Sequence, residues 1–483
     1  MASSIRRRPD KSRRPHSHAP GVACGREPRV ALVDQEADVP VSSRDDPVGD
    51  RTPRPWASTT ARHSDGQLIV IISASVGAGH DGAATEVARR LAAAGYRITR
   101  LDFVDLLPAR LGRLLRAGYR HMLVVTPAAY QRIHATTERA RRPGLVLRAL
   151  LRSAERRTLR ALPPDTCAVV STYHAASQVL GALRLRGRLT VSALTYLTDF
   201  SVHPIWVAPG IDAHMAIHPI PAGQARALGA AVVSVTGPVV NPAFSPGTPA
   251  ERQAARARFG LPENAPLALL VAGSWGVGSV REAATEILNS GIAVPVVVCG
   301  RNQALADRLR NDGIGYAYGW VDDMPGLMRA CDVLVQNAGG LTSLEAFASG
   351  LPVASYRCIP GHGQTNAAAL EEVGLAAWIW AADQLKPVLA ELLDGPFGRR
   401  QRTEALRLYE AGPGPVNAIA SVVANGTVDA RPRTSPRLVR RRIRVFAGAV
   451  AATVCLGISA GVVEDHLPVH FHSPTKLLEA HHR

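Results

Sequence analysis

Between Asp332 and Gly374 the chain reads DVLVQNAGGLTSLEAFASGLPVASYRCIPGHGQTNAAALEEVG. An apolar run there ends in the Gly339-Gly340 turn, and a helical pattern starts at Leu341 and Thr342. A helix start after such a turn presents unbonded backbone N–H groups and the positive end of the helix dipole, which suits a phosphate. Glu345, one turn into that helix, can accept hydrogen bonds from two neighbouring sugar hydroxyls. Gln364 and Asn366, after a second glycine turn, carry amides that can bond further hydroxyls. In VAGSWGVGS, the residues Gly273, Ser274, Gly276 and Gly278 make another turn able to face phosphate. These groups read as half of a nucleotide-sugar site.

The other half is expected earlier in the chain. SVGAGHDGAATEVARRL (75–91) satisfies G-x-G-x-x-G through Gly77, Gly79 and Gly82. Asp102 follows about twenty residues on, where a ribose-binding acid of a dinucleotide site would stand. The pattern alone is weak, because a glycine turn closing any βα unit looks the same. His80 adds chemistry: a helix N-terminus disfavours imidazolium, so a histidine there suits a neutral general base. Asp199 and His203 are placed to orient or assist it, and His174 in STYHAAS follows a strand and faces the acceptor side. Single histidines and aspartates of this kind are more often structural than catalytic.

These groups need strands and helices to hold them. LIVIISA (68–74) is a continuous apolar run, the mark of a parallel strand covered on both faces. Ala83–Ala94 has helical spacing, and Tyr96–Leu101 makes a second strand, so the chain opens with a βαβ unit. Further strand-like runs are CAVVST (167–172), LTVSALTYLTD (189–199), AHMAIH (213–218) and AVVSVTG (231–237). Pro238, Pro242, Pro246 and Pro249 mark a hinge. The pattern then restarts with LALLVAG (267–273), VPVVVCG (294–300), IGYAYGW (314–320), CDVLVQN (331–337) and LPVASY (351–356). Two α/β halves in tandem imply two doubly wound domains facing a cleft. Residues 402–424 read as a closing helix interrupted at Gly412–Pro415.

Composition sets the class. The chain has 483 residues, enough for two or three domains with large cores. Its 46% hydrophobic and 20% charged residues are a globular balance. The net charge of +17 points to anionic partners. The six cysteines form no C-x-x-C pair, so neither a zinc site nor a disulfide framework is signalled. Aromatic residues are only 5% and no recognition motif is present, which argues against nucleic acid. Residues 1–65 are rich in Arg, Pro and Ser and are expected to be a disordered basic arm; Arg6, Arg7 and Arg8 lack the apolar run that a secretory signal needs. Residues 109–160 are basic and helical, with Arg110, Arg113 and Arg116, then Arg148, Arg152 and Arg156, beside leucine stripes. That is either a solvated face over a core or a surface for anionic lipid. An Arg-rich linker (426–444) precedes VFAGAVAATVCLGISAGVV (445–463), which holds no charge and spans about 28 Å as a helix. It reads as a transmembrane helix, with a short tail at 464–483 and the Arg-rich side in the cytoplasm.

The ordered motifs resemble a known family. GAGH followed by an Ala-rich helix looks like the N-terminal domain of the monogalactosyldiacylglycerol synthases and processive diacylglycerol glucosyltransferases. TYLTDFSVHPIWVAPGIDAHMAIHP (195–219) resembles that family's T-D-x-x-x-H-x-x-W segment through Thr198, Asp199, His203 and Trp206. TGPVVNPAF (236–244) is similar to its linker entry. VAGSWGVGS (271–279) and DVLVQNAGGLTSLEAFASGLPV (332–353) resemble its nucleotide-sugar domain, a domain shared with the GlcNAc transferase of peptidoglycan synthesis. The resemblance covers about residues 67–400. One departure is plain: the family's P-G-Q-E-x-x-N is here Pro360-Gly361-His362-Gly363-Gln364-Thr365-Asn366, which leaves the sugar open.

The resemblance implies a GT-B fold: a Rossmann-like acceptor domain (66–245), a UDP-sugar domain with closing helix (246–425), and the C-terminal span. It implies an inverting transfer of a hexose from a UDP-sugar to a membrane lipid, diacylglycerol first, with His80 as base and Gly77, Gly79 and His174 on the acceptor side. Gly273, Ser274, Gly276, Gly339, Gly340, Leu341, Thr342, Glu345, Gln364 and Asn366 would hold the donor. No D-x-D stands at a strand end beside the site, and Asp322-Asp323 reads as a helix start, so neither a metal nor a cofactor is expected. The catalytic domains would work at the cytoplasmic side of the cell membrane, on an anionic surface. Two other classes remain open: an NAD-dependent oxidoreductase using Gly77, Gly79 and Gly82, and a non-catalytic membrane-tethered protein that binds sugar nucleotide or lipid.

Overall fold

The computed structural model describes residues 66–75, 77–108, 111–112, 145–410 and 414–425. The basic arm, most of the first basic helical stretch including Arg110, Arg113 and Arg116, the Arg-rich linker, the 445–463 span and the tail lie outside the described residues. Among the described residues no helix is long and apolar enough to cross a membrane.

The first half is one parallel sheet of β1 (Leu68–Ser73), β2 (Arg97–Asp102), β3 (Thr166–Ser171), β4 (Ser192–Tyr196), β5 (Ala213–Ala216) and β6 (Val233–Val235), in spatial order β2-β1-β3-β4-β5-β6. All six residues of β1 are buried, as its unbroken apolar run requires for a strand covered on both faces. The second half repeats the plan with β7 (Leu267–Val271), β8 (Val294–Val298), β9 (Tyr316–Tyr318), β10 (Val333–Gln336), β11 (Val353–Tyr356) and β12 (Ala377–Ile379), ordered β12-β11-β10-β7-β8-β9. Several strands are shorter than their apolar runs: 189–199 yields only β4, and Thr198 and Asp199 beyond it already line the cleft.

In each half the strand order reverses beside the first strand, between β1 and β3 and between β7 and β10. Such switch points open a crevice at the carboxyl ends of the strands. The segments leaving β1, β3, β7 and β10 carry His80, His174, Gly273 and Gly339, so the topology itself gathers these residues.

The two halves pack closely. Phe200 and Phe347 meet edge to face at 6.4 Å. A Cβ on Gly82 would stand 2.5 Å from the Leu341 side chain, and one on Gly79 at 3.6 Å. Two of the three glycines of the G-x-G-x-x-G pattern therefore admit a side chain of the second half rather than a dinucleotide. Asp102 is likewise engaged locally: its carboxylate accepts from Ser75 N and, at 2.9 Å, from Val104 N, capping helix Phe103–Leu106. The closing segment forms helices Pro396–Glu410 and Gly414–Ala424, and the latter packs back against helix Ala78–Ala93 and strands β4 and β5 of the first half.

Candidate active site

A cleft of about 1110 Å³ lies between the halves and is lined from both. On the first side, helix Ala78–Ala93 begins after Gly77, and His80 sits in its first turn at the cleft wall. The Thr172 hydroxyl donates to the His80 carbonyl oxygen at 3.0 Å and fixes this turn. The imidazole packs against Tyr173 at 5.3 Å and Trp206 at 5.7 Å. Burial among these rings is the main cause that lowers its pKa to about 4, opposed by a hydrogen bond with the Thr172 backbone. His80 is therefore neutral, as the sequence suggested, but chiefly through desolvation rather than the helix dipole.

His174 starts helix His174–Leu185, stacks on Tyr173 at 4.4 Å and meets Trp206 edge-on at 5.6 Å. Its Nδ1 is buried without a partner, and burial first, then the charges of His80 and His203, lower its pKa to about 3. It lines the cleft from the first half as a neutral ring. His203 accepts from Ile205 N–H through Nδ1 at 3.2 Å and caps the short turn Pro204–Trp206. That turn presses Trp206 onto His80, so His203 serves the site by building its wall. Asp199 receives the Thr198 hydroxyl at 3.4 Å, and burial raises its pKa to about 6 against that hydrogen bond. A Cβ on Gly340 of the second half would stand 3.5 Å from Asp199 Oδ1, so the carboxyl lies where the halves meet.

On the second side, Gly273 and Ser274 follow β7 and line the cleft. Gly273 has φ +65° and open space where a Cβ would be, so its backbone is bare toward the cleft. Gly276 and Gly278 instead pack inward, against the Cys299 carbonyl and the Asn337 amide. The Asn337 amide donates to the Val277 carbonyl at 2.8 Å and pins this loop to the end of β10. Gln336, the last residue of β10, accepts from the N–H groups of Ala338, at 2.8 Å, and Gly339, and donates to Ser355 at 2.6 Å. It thus shapes the Gly339-Gly340 turn. Helix Leu341–Ala348 opens directly from that turn, and Gly339, Gly340, Leu341, Thr342 and Glu345 all line the cleft. Burial raises the Glu345 pKa to about 8, so the carboxyl is mostly neutral at pH 7 without a ligand.

The amides expected to bond sugar hydroxyls are engaged elsewhere. Gln364 accepts from Gly361 N–H at 3.4 Å and caps its own helix, His362–Glu372. Asn366 is 1% exposed; it accepts from Ser201 N–H of the first half at 2.9 Å and donates to the Ala338 carbonyl at 3.2 Å. It is a cross-cleft tie beside the glycine turn. His362 and Asn366 both line the cleft. A Cβ on Gly363 would stand 2.6 Å from the Asn337 carbonyl oxygen, so this helix start rests on the turn and leaves no room there for the glutamate of the related motif. Gly363→Ala should cost about 1–3 kcal/mol through overpacking against backbone, and it should weaken UDP binding as the turn shifts. A parental melting temperature together with parental UDP affinity would show that the contact is slack.

Sequence reasoning named Thr198 and Trp206 only as motif positions, without a role in the site, and it missed Gln336 and Tyr173. Gln336 had a signal, a polar residue ending an apolar run before a glycine pair. Arg301 lies between the rings of Trp275 and Trp320, at 5.2 and 5.3 Å, beside the cleft rim, and nothing local announces that sandwich. Asp323 caps helix Met324–Ala330, accepting from Gly326 N–H at 2.9 Å, as its helix-start reading required. Among the described residues no group of three His, Cys, Asp or Glu is placed to hold a metal.

Comparison with known proteins adds independent findings. Residues 80–240 match the family model of monogalactosyldiacylglycerol (MGDG) synthase. A processive diacylglycerol beta-glucosyltransferase of Bacillus pumilus (strain SAFR-032) is 30% identical over 212 residues, covering 42% of this chain and 55% of that protein. The one from Bacillus cereus (strain AH820) is 27% identical over 303 residues, covering 58% of this chain and 74% of that protein. The chain thus spans little more than half the length of the Bacillus pumilus relative. Among solved structures, TcCGT1 in complex with UDP superposes with a TM-score of 0.50 at 13% identity, covering 75% of this chain and 100% of that one. The two six-stranded parallel sheets form the GT-B architecture. The resemblance carried by these motifs holds: this chain is similar to the monogalactosyldiacylglycerol synthases and processive diacylglycerol glucosyltransferases, and its residues 80–240 match the family model of the former.

Proposed function

We propose that the protein is an inverting glycosyltransferase that moves a hexose from a UDP-sugar to the hydroxyl of a diacylglycerol-type membrane lipid. The observation that carries this reading is the cleft itself. It opposes a buried neutral imidazole, His80, to a helix start and carboxyl, Gly339–Glu345, on the other half. A base on one wall and an anion-binding helix terminus on the other suit direct displacement at an anomeric carbon. The acceptor oxygen attacks that carbon, its proton passes to His80 Nε2, and the bond to the diphosphate breaks with its electron pair on UDP. The cleft next to His80 is walled by Leu147, Leu150, Leu151, Phe103 and Tyr173, a lining suited to acyl chains. The names of the relatives, diacylglycerol glycosyltransferases, support the same acceptor class. The test is a donor screen: UDP-glucose and UDP-galactose with diacylglycerol micelles, reading glycolipid and UDP. NADH turnover without glycolipid would favour the oxidoreductase reading. UDP binding with no product from any donor would favour a non-catalytic binder.

The membrane part of the proposal rests on charge. Helix Leu145–Ala161 turns Leu147, Leu150 and Leu151 to the cleft and exposes Arg148, Arg152 and Arg156, a cationic face suited to anionic lipid headgroups. The uncharged 445–463 stretch, preceded by arginines, would then anchor the catalytic domains on the cytoplasmic side. Deleting residues 431–483 should release much of the protein from membranes, leaving the weaker hold of the basic helix. A full-length protein recovered entirely in the soluble fraction would defeat the anchor. A C-terminal tag protected from protease in right-side-out cells would defeat the topology.

A further inference from the structure

We infer that Thr198 is a positioning residue for the transfer reaction, its hydroxyl linking His80 Nδ1 to the Asp199 carboxylate so that the imidazole presents a bare Nε2 to the acceptor. The inference rests on the reading of His80 as the base.

The geometry is local and specific. Thr198 Oγ1 lies 3.4 Å from His80 Nδ1 and 3.4 Å from Asp199 Oδ2. Thr198 itself is buried, 6% exposed, so water does not compete freely for the hydroxyl. A threonine hydroxyl has one proton and two acceptor sites. Given to Nδ1, that proton would leave the imidazole hydrogen on Nε2, a tautomer that cannot take a proton from the acceptor. An ionised carboxylate only accepts, so it draws the hydroxyl proton to itself. Oγ1 then accepts from Nδ1–H, and the lone pair stands on Nε2. When Nε2 takes the acceptor proton, Nδ1–H stays on Oγ1. The positive charge that forms is bonded in line to the negative charge of Asp199.

The Thr172 backbone is a second hydrogen-bond partner of the His80 ring; the charged groups nearby leave the line through Thr198 to Asp199 open. His80 is flanked by Tyr173, His174 and Trp206, all from the first half, and both histidine rings are held neutral by burial. Asp81, one residue along the helix, is committed to Ser73 at 3.0 Å and to Arg100 at 2.5 Å. From the second half, Glu345 and His362 line the same cleft, and Gly340 stands beside Asp199. The segment is also tied across the cleft, since Ser201 N–H donates to Asn366 at 2.9 Å. The tie to the second half and the proposed orientation of the base thus share one short loop, residues 198–201.

Protonation of Asp199 breaks the link, because a neutral carboxyl can donate to Oγ1 and turn the hydroxyl toward Nδ1. Burial places that change near pH 6, above the titration of His80 itself near 4. Turnover should therefore rise with pH through about 6 in the parent.

Two measurements on the full-length protein test this. Imidazole 15N spectra, with His80 assigned by His80→Gln, should show the Nδ1–H tautomer in the parent and in Thr198→Ser. Thr198→Val should show Nε2–H or a mixture. An Nε2–H parent, or a Thr198→Val variant identical to the parent, overturns the inference whether or not any donor is turned over. In kinetics with UDP-glucose or UDP-galactose and diacylglycerol, Thr198→Val should lower kcat about 10- to 100-fold, the scale of a hydrogen bond to a charged group. Its donor KM should stay within about threefold and its acid limb near pH 6 should disappear. Thr198→Ser should restore both rate and limb. Full activity in His80→Ala would instead remove the base reading, leaving the tautomer result to stand or fall on the spectra.

Discussion

His80→Ala should lower sugar transfer by about 10²–10⁴-fold while UDP still binds, the loss expected when a general base is removed. The donor half explains the second clause: the glycine turns and Glu345 that would hold UDP come from the other side of the cleft. The first clause rests on the imidazole being the neutral group on the first-half wall of the cleft. Its pKa is lowered, to about 4, so the basic form is fully present above that value and is lost only as pH falls through it. Protonation of His80 itself therefore should not limit turnover near neutrality. A weakly basic imidazole is a modest proton acceptor when idle, and a nearby carboxylate can stabilise the imidazolium once it forms. Because the ring also fills space between Tyr173 and Trp206, alanine opens a small void. His80→Gln, which fills more of that space, separates loss of packing from loss of the base. UDP calorimetry and melting curves on both variants complete the comparison. A His80→Ala variant that transfers sugar at the parental rate removes His80 from the chemistry.

Much of this site was legible from sequence because it sits where doubly wound sheets must open. The apolar runs at 68–74, 267–273 and within 331–337 specify buried parallel strands, and the glycine-rich segments after them fall at the switch points. The packing of the two halves then brings His80 into one cleft with Gly339, Gly340 and Glu345. What sequence could not supply was the partner of each polar group. Gln364 and Asn366 look alike as amides after a glycine turn, yet one caps its own helix and the other ties the two halves together. The difference arises from contacts 165 positions apart, which no local pattern encodes. Gly79 and Gly82 fit a dinucleotide fingerprint by spacing, but the space they leave is filled by Leu341 from the other half. His203 shows the same ambiguity: its place in the T-D-x-x-x-H-x-x-W segment suggested catalysis, and its ring nitrogen caps the turn that carries Trp206. Ionisation was the least legible quantity. Glu345 reads as an ordinary carboxylate in a helix, and only its burial beside the cleft shows that it is held neutral.

That neutrality makes the Glu345→Ala result specific. In the complex, two ribose hydroxyls donating to an ionised carboxylate would contribute about 1.5–3 kcal/mol each as an upper range. Ionising a carboxyl whose pKa is about 8 costs about 1.4 kcal/mol at pH 7, one pKa unit's worth. The net loss on truncation is then roughly 2–5 kcal/mol, so UDP affinity should fall by about 30-fold or more. The sign with pH follows from the raised pKa. The free site holds the proton below about 8, the hydroxyls favour the ionised form, and binding releases that proton. Affinity for uridine, which lacks the diphosphate charge, should rise from pH 6 to pH 8 and level off above. Calorimetry at pH 7 in two buffers of different ionisation enthalpy should show proton release in the parent and none in Glu345→Ala. Glu345→Gln should bind uridine weakly and without pH dependence. A neutral amide can still meet one hydroxyl as acceptor, but it cannot take both bonds with a full charge. Unchanged UDP affinity in Glu345→Ala would remove this residue from the donor site, and pH-independent uridine binding in the parent would show that the carboxyl meets the ribose without ionising.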